Sequence, residues 1–192
     1  MRIIAGTKRG MKLLSPKTDI SRPVTDRVKE SLFSVLYQYD TPTGKFVADL
    51  FAGVGSLGLE ALSRGAAFVT FVEKEPQIAA LLERNIKKAG FVKESKVIKA
   101  NAFKIGAPAE KGLNDLIFVD PPYALTKNVD TSSQLGRLLD ILSVQLAPDG
   151  IVVVRTEKQT RLLDRYSRLK VIERRQWGTM AVSFLGLEEN DK

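Results

Sequence analysis

The sequence predicts an α/β domain whose core is a mostly parallel sheet of seven strands. Short apolar runs recur along the chain, and segments with the apolar spacing of helices separate most of them, as expected for strands that helices cover on both faces. The chain has 192 residues, of which 44% are hydrophobic and 27% are charged. That size and composition suit one compact domain with a substantial core, so we expect residues 1–192 to form a single domain.

The expected strands fall into two groups. Five are separated by helices and should be parallel, whereas the last two have no helix between them and should form an antiparallel hairpin at the edge of the sheet. In chain order the seven runs are 46–51, 68–73, 96–100, 116–119, 151–154, 169–175 and 180–186. Helices are predicted over 25–39, over 56–64, over 75–89, and over a fourth segment that carries Leu135, Leu138, Leu139, Leu142 and Leu146.

The net charge of +8 is concentrated in two segments. Residues 1–30 and 155–177 each carry eight basic and three acidic residues, whereas the remainder of the chain is close to neutral. Residues 1–21 form a basic N-terminal extension, in which we expect a short β-hairpin with Lys8 and Arg9 at its tip. Such segments favour a polyanionic partner, most often nucleic acid, although charge alone fits a purely solubilising surface equally well.

The chain contains no cysteine and no histidine. Disulfides, thiolate or histidine metal sites, iron–sulfur clusters and Ser-His-Asp triads are therefore excluded, and no metal is expected. No apolar run approaches the ~20 residues that span a bilayer, and the apolar stretch at the start is too short for a signal peptide. We expect a cytoplasmic protein without membrane contact, whose chemistry depends on carboxylates, amides, hydroxyls, lysine, arginine or a cofactor.

A glycine-rich segment follows the first predicted strand. Gly53, Gly55 and Gly58 form the spacing G-x-G-x-x-G, directly after the strand and before a helix. Glycines at these places let the backbone turn tightly and approach a nucleotide-like ligand closely. The spacing also occurs in purely structural turns, but its position between a strand and a helix favours a cofactor-binding loop.

Two carboxylates narrow the choice of cofactor. Glu73 ends the second predicted strand, twenty residues after Gly53, where a carboxylate can accept hydrogen bonds from both ribose hydroxyls. The structural alternative is a surface acid near a helix N-terminus. Asp49 precedes the glycine loop, where it would attract a cofactor that bears an ammonium group and repel a pyrophosphate. This favours S-adenosylmethionine over NAD.

The most specific motif ends the fourth predicted strand and reads Asp120-Pro121-Pro122-Tyr123. Because proline has no N–H, the backbone carbonyls here stay free, so an Asp120 oxygen and a carbonyl can together accept both protons of one exocyclic amine. The Tyr123 ring offers a face on which an extruded base can stack. The alternative is a proline-rich strand exit with a packing tyrosine.

This arrangement resembles the S-adenosylmethionine-dependent amino-methyltransferases with a Rossmann-like fold, in which the last motif is Asp or Asn, then Pro-Pro, then an aromatic residue. Residues 1–13 and 22–33, taken with the two motifs above, narrow the resemblance to the RsmD family. These are bacterial enzymes that methylate the N2 amine of a guanine in 16S ribosomal RNA. The similarity extends over residues 1–186, and the N-terminal block separates this family from the DNA amino-methyltransferases.

The resemblance implies a role for each candidate residue. The catalytic group comprises Asp120, the Pro121 carbonyl and Tyr123. The residues that would bind S-adenosylmethionine are Asp49, Phe51, Gly53, Gly55, Glu73, Asn101 and Ala102. Asn101 would meet the adenine amine, although many family members carry aspartate there. The partner would be 16S rRNA within the small ribosomal subunit, bound by a monomeric enzyme, and the residues expected to contact the RNA are Lys8, Arg9, Lys12 and Arg22.

Two other classes of protein remain possible with the same core. A DNA adenine-N6 or protein glutamine-N5 methyltransferase would use the same Asp-Pro-Pro-Tyr motif. The length of 192 residues leaves little room for a DNA-recognition domain, and the basic N-terminal segment argues against a protein substrate. A non-catalytic RNA-binding module with this fold is the remaining alternative.

Overall fold

The structure is a computed structural model that describes residues 1–16 and 25–188. Its strands are β1 (Phe46–Leu50), β2 (Phe68–Val72), β3 (Ser95–Ile98), β4 (Asn114–Val119), β5 (Leu146–Glu157), β6 (Arg165–Tyr166), β7 (Leu169–Trp177) and β8 (Met180–Leu187). Its α-helices are α1 (Asp26–Leu36), α2 (Gly58–Ser63), α3 (Pro76–Ala89), α4 (Ala102–Ile105) and α5 (Gln134–Leu142). Short 3-10 helices cover Gly6–Lys8, Tyr37–Tyr39 and Tyr123–Thr126.

All eight strands belong to one sheet, in the order β3-β2-β1-β4-β5-β8-β7-β6. The first five are parallel, β8 runs antiparallel to both β5 and β7, and β6 runs antiparallel to β7. This confirms the predicted fold class, including the antiparallel pair that follows the parallel part. The seven expected strands are all present, and β6 adds an eighth that is only two residues long, too short to leave a periodic pattern in the sequence.

Two elements differ from the prediction. Leu146 continues the helical spacing of the leucines before it, but α5 ends at Leu142, and Leu146 begins β5 and pairs with Asn114 of β4. Pro148 disfavours helical geometry at Ala147, so no helix could extend far beyond Leu146, and the pairing of Leu146 with Asn114 in the sheet replaces the last helical turn. The short helix α4 was not predicted, since its four residues are too few to show a helical period.

Helices cover both faces of the sheet. Alternate residues of each central strand face opposite sides, so that in β1 Val47 packs into the layer of α1, α2 and α3, whereas Ala48 packs into the layer of α4 and α5. The longest helix described is α3, with 14 residues. No helix within residues 1–16 and 25–188 is long and apolar enough to cross a membrane.

The N-terminal hairpin is smaller than predicted. A single antiparallel bridge joins Arg2 to Lys12, and a 3-10 turn at Gly6–Lys8 lies between them. The backbone N–H groups of the two residues before the turn donate to the Glu60 carboxylate of α2 rather than to a partner strand, at 2.8 and 3.0 Å. The extension is therefore held by α2, and it does not form a regular two-stranded ribbon.

A cluster of buried charges underlies this attachment, and we call Lys29, Glu60 and Arg64 the anchor cluster. Glu60 is fully buried, with Arg64 Nε 2.8 Å and Lys29 Nζ 3.7 Å from its carboxylate oxygens. Lys29 Nζ also donates to the Arg2 carbonyl at 2.9 Å. Every charge in the cluster has a partner, so α1, α2 and the N-terminal extension are joined as one body.

Candidate active site

The predicted site residues converge at one edge of the sheet. The carboxyl ends of β1, β2 and β4 meet there, and the strand order reverses between β1 and β4. In open parallel sheets, ligands bind at such a switch point. Asp49, Glu73 and Asp120 lie at or just after these three strand ends, and we call them the strand-end carboxylates.

The loop between β1 and α2 is shaped by two glycines. Gly53 and Gly55 have φ angles of +55° and +87°, a region that side-chain-bearing residues rarely adopt. A Cβ on Gly55 would lie 2.5 Å from a methyl carbon of Leu82, so this glycine allows the loop to pack against α3. At Gly53 no atom of the described residues lies within 4 Å of the Cβ position, so bare backbone faces the site.

Two aromatic rings bring the predicted cofactor segments together. Phe51 has a φ of +59°, which is rare for a residue with a side chain, and its ring centre lies 4.8 Å from that of Phe103. Strained backbone of this kind is concentrated at functional sites. Phe103 follows the predicted residues Asn101 and Ala102, and the sequence alone did not single it out.

Asn101 caps the short helix α4. Its side-chain oxygen accepts a hydrogen bond from the Phe103 N–H at 3.0 Å. An amide oxygen has a second lone pair, so this capping role is compatible with the predicted contact to an adenine amine. The contact itself stays a prediction.

Glu73 links the end of β2 to the glycine loop. Its side chain is buried, and its two carboxylate oxygens accept hydrogen bonds from the N–H groups of Gly53 and Glu75, both at 2.9 Å. A carboxylate can accept about four hydrogen bonds, so it retains capacity for the predicted ribose hydroxyls. The structure therefore adds a loop-positioning role to the predicted binding role, which stays a prediction.

Asp49 is the most deeply buried of the strand-end carboxylates, with 2% of its surface exposed. One oxygen accepts a hydrogen bond from the Gly58 N–H at 2.8 Å. Burial raises the pKa of Asp49 well above its ordinary value, and the nearby charges of Asp120 and Glu73 raise it further. No basic side chain of the described residues is bonded to Asp49, so a cationic ligand would stabilise its charged form.

Asp120 is paired with a residue that the sequence analysis did not single out. Arg155 Nε donates to Asp120 Oδ1, and the two side chains are 15% and 18% exposed. The guanidinium carbon lies 5.6 Å from the centre of the Tyr123 ring. Burial raises the pKa of Asp120 although Arg155 opposes the shift. The pairing of Val119 with Val154 places Arg155 beside Asp120, so the missing signal was the register of β4 against β5.

Several polar atoms at the site are free of protein partners. No hydrogen bond from the described residues reaches the Pro121 carbonyl, and the Ser56 hydroxyl of the glycine loop is buried without a partner there. An apolar cleft beside Asp120 and Arg155 is lined by residues of α1, β5 and β8, among them Val28, Leu32, Val153 and Val182. Free acceptors, bare loop backbone and excess carboxylate charge together fit a nucleoside ligand with a positive charge.

The acidic groups do not resemble a metal centre. Within residues 1–16 and 25–188, no group of three or more acidic side chains has an arrangement that could hold a metal ion.

The predicted RNA-contacting residues do not all lie near this site. Lys8 Nζ lies 5.7 Å from the centre of the Phe91 ring, just beyond the C-terminus of α3. That helix is about 20 Å long and begins at the active-site edge, so Lys8 and the adjacent Arg9 lie toward the opposite edge of the sheet. Lys12 lies at the same end, because its carbonyl accepts a hydrogen bond from Lys88 Nζ in the last turn of α3. Arg22 falls outside the described residues.

Comparison with known proteins identifies the family. The family model described as "Conserved hypothetical protein 95" matches residues 1–186. A Haemophilus influenzae protein named Ribosomal RNA small subunit methyltransferase D is 36% identical over 165 residues, which cover 85% of this chain and 82% of that protein. The chain belongs to the RsmD family. The resemblance seen in the sequence is thereby confirmed.

Two further relatives show that the RsmD-family match spans nearly the whole chain. YlbH of Bacillus subtilis is 32% identical, over 95% of this chain and 97% of its own length. The solved structure of yhhF from Escherichia coli superimposes with a TM-score of 0.80 at 30% identity, covering 99% of both chains. The N-terminal extension is therefore common to this chain and these relatives.

Proposed function

We propose that this chain is an S-adenosylmethionine-dependent methyltransferase that acts on the exocyclic N2 amine of a guanine in 16S ribosomal RNA. The observation that carries the proposal is the position of Asp120 and the Pro121 carbonyl across the β1–β4 switch point from the glycine loop. A methyl donor on the loop and an amine held by these two acceptors would face each other there. The name of the Haemophilus influenzae relative supports the choice of small-subunit RNA.

The methyl donor supplies a sulfonium that is already activated for transfer. The chain would hold it with the backbone at Gly53 and Gly55, with Glu73 at the ribose and with Asn101 and Ala102 at the adenine. Asp49 would orient the ammonium group, and the excess negative charge at the strand ends would favour a cation. Phe51 and Phe103 would form one apolar wall of the site.

The acceptor amine is a poor nucleophile, because it shares its lone pair with the guanine ring. Asp120 and the Pro121 carbonyl would accept its two protons, aim its lone pair at the methyl group and stabilise the positive charge that develops on nitrogen. A methylated, charged amine is strongly acidic, so water can remove the extra proton. The absence of histidine is consequently no obstacle to this chemistry.

Tyr123 would stack on the extruded guanine, and the proximity of its ring to Arg155, which bonds Asp120, supports this role. We further propose that Lys8, Arg9, Lys12 and Arg22 contact RNA phosphates. Since Lys8 and Arg9 lie toward the far edge of the sheet, such contacts require an RNA that extends along the N-terminal extension. We propose that the enzyme acts in the cytoplasm as a monomer on the small ribosomal subunit.

The test is methyl transfer from tritium-labelled S-adenosylmethionine to three substrates in parallel: small subunits that lack the modification, naked 16S rRNA and DNA. The expected result is incorporation into ribosomal RNA, recovered as N2-methylguanosine after digestion to nucleosides. The Asp120→Ala variant serves as the control for a contaminating activity.

Each other outcome contradicts the proposal in a distinct way. Label in DNA, or recovery as a methylated adenine, would identify another base amino-methyltransferase. Label in ribosomal protein would indicate the glutamine-N5 alternative. RNA binding by the folded protein without transfer to any substrate would identify a non-catalytic module.

A further inference from the structure

Among the described residues, Arg155 is the one basic side chain that hydrogen-bonds one of the strand-end carboxylates. Its Nε donates to Asp120 Oδ1, while Asp120 Oδ2 has no hydrogen-bond partner among the described residues. Its Nη1 is buried without a partner, and its guanidinium carbon lies near the face of Tyr123. One side chain therefore contacts both of the residues proposed to hold the base.

We infer that Arg155 is a positioning residue for the methyl-transfer step, which holds the Asp120 carboxylate ionised and in one orientation so that Oδ2 faces the acceptor amine. This inference rests on the proposed function. The restraint on Oδ1 leaves Oδ2 as the oxygen available to a substrate, and the ion pair keeps a buried carboxyl group charged. The cation over the ring would fix the orientation of Tyr123 in the same way.

Other charged groups lie close to Asp120. The charges of Asp120 and of Glu73, which follows β2, both act on Asp49 of β1 and raise its pKa. Lys29 of α1 also acts on Asp49, but its ammonium is bonded in the anchor cluster. Burial raises the pKa of Asp120 and Arg155 lowers it, so loss of Arg155 should favour the protonated carboxyl.

The first test is the pH dependence of single-turnover methyl transfer by Arg155→Gln. In the wild type, activity should fall as the pH decreases through the raised pKa of Asp120, because a protonated carboxyl is a weaker acceptor and no longer stabilises the positive charge that develops on the amine. Loss of an adjacent positive charge raises a carboxyl pKa by about 1–3 units, so the acid limb of the variant should move to higher pH by that amount. An acid limb at the wild-type pH would overturn the inference.

The double variant Asp120→Asn/Arg155→Gln assigns that limb to a residue. Asparagine does not titrate, so the shifted limb should disappear when it replaces Asp120. The double variant should also be less impaired at pH 7 than the product of the two single effects, because each single variant leaves one buried charge alone. An acid limb of the pH–rate profile that persists in the double variant would contradict the functional pairing of Asp120 with Arg155. So would a loss of activity equal to the product of the two single-variant losses.

The pH dependence of folding stability tests the inference without measuring turnover, and it remains informative if a variant is poorly folded. The Asp120 pKa is above its unfolded value and should rise further in Arg155→Gln, so the stability lost by this variant at pH 7 should be regained as the pH falls and Asp120 takes up its proton. Arg155→Lys, which keeps the charge, should lose less at pH 7. A stability deficit that does not depend on pH would show a packing role only. Failure of the wild type to transfer methyl groups at all would refute the proposed function instead.

Discussion

Two clusters of charge with little solvent exposure contact the six-residue helix α2, one through Glu60 and the other through the hydrogen bond from Gly58 to Asp49, and they are balanced differently. In the anchor cluster, Glu60 receives two backbone N–H groups and two basic side chains, so its charge is fully compensated by the protein. Among the strand-end carboxylates, Asp49 receives one backbone N–H and no basic side chain in the described residues. Within residues 1–16 and 25–188, Arg155 forms an ion pair only with Asp120.

This difference in charge compensation distinguishes a structural cluster from a ligand-binding one. A buried carboxylate that is fully partnered holds elements together, as Glu60 does for the N-terminal extension, α1 and α2. A buried carboxylate without enough hydrogen-bond or ionic partners lowers the stability of the free protein. Such a carboxylate is expected at a site where a bound ligand supplies the missing partners. The comparison predicts that variants of the two clusters fail in different ways.

The largest expected effect is on stability and belongs to the anchor cluster. Glu60→Gln keeps the shape of the side chain but leaves the buried Lys29 without the carboxylate beside it and Arg64 with only the exposed Glu30, which costs about 3–5 kcal/mol of unfolding free energy. Urea denaturation measures this loss. Glu30→Gln is the matched control, because Glu30 contacts the same Arg64 at 3.0 Å but is 58% exposed. That variant should lose no more than about 1 kcal/mol, and an equal loss in both would end the distinction.

The next effect is on turnover and belongs to the strand-end carboxylates. Asp120→Ala removes an acceptor that matters most when the amine gains charge, so turnover should fall about 100- to 1000-fold, or about 2.7–4 kcal/mol. Cofactor affinity, measured by calorimetry, should stay near the wild-type value. The exposed Asp149→Ala is the control and should remain fully active. Wild-type turnover in Asp120→Ala would show that the Asp-Pro-Pro-Tyr segment only ends the strand and has no catalytic role.

Asp49 should show a smaller effect, with the opposite sign. Its folded pKa is raised above the unfolded value, so the folded state loses stability as the pH rises from the unfolded pKa through the folded one. Asp49→Asn should therefore be more stable than the wild type at pH 7, by on the order of 1–2 kcal/mol, while losing activity. The gain should shrink as the pH falls and wild-type Asp49 becomes neutral. A variant that is less stable at every pH would show that the hydrogen bond to Gly58 outweighs the burial of charge.

The smallest effect concerns RNA affinity at the far end of the N-terminal extension. If Lys8 and Arg9 bind phosphates, Lys8→Gln/Arg9→Gln should make the logarithmic salt dependence of RNA binding shallower by roughly 0.7–0.9 for each phosphate that is no longer neutralised. Arg168→Gln/Lys170→Gln removes the same charge from the exposed surface of the second basic segment and should leave the slope unchanged. The reverse result would assign the RNA to that segment and leave Lys8 and Arg9 a solubilising role.

The sequence predicted the strand-end residues because a buried strand is an uninterrupted apolar run, and the polar residue that ends it must lie at the edge of the sheet. Asp49, Glu73 and Asp120 were found in this way, and they do meet at the switch point. The glycine spacing also predicted the loop, because backbone positions with positive φ angles are usually occupied by glycine and are therefore visible in the sequence.

The residues that sequence reasoning missed depend on contacts between distant segments. Arg155 was counted within a basic segment as surface charge, and only the register of β4 against β5 shows that it faces Asp120. Glu60 was not singled out from the sequence, and only the structure shows that α2 is buried along its whole length, so that this carboxylate has no access to water. Local spacing predicts a buried strand, but it shows neither the burial of a single charged side chain nor the order of the strands in the sheet.

One measurement tests the distinction between the two clusters most directly: the thermal shift caused by saturating S-adenosylmethionine in Glu60→Gln and Glu73→Gln. The same chemical change is made in both clusters. Glu60→Gln should melt at a lower temperature than the wild type yet keep the full ligand-induced shift. Glu73→Gln should lose affinity about 10- to 100-fold, which removes about 1.4–2.7 kcal/mol of ligand stabilisation and most of the shift. A full shift in Glu73→Gln, or a lost shift in a folded Glu60→Gln, would contradict the assignment of the strand-end carboxylates to the cofactor.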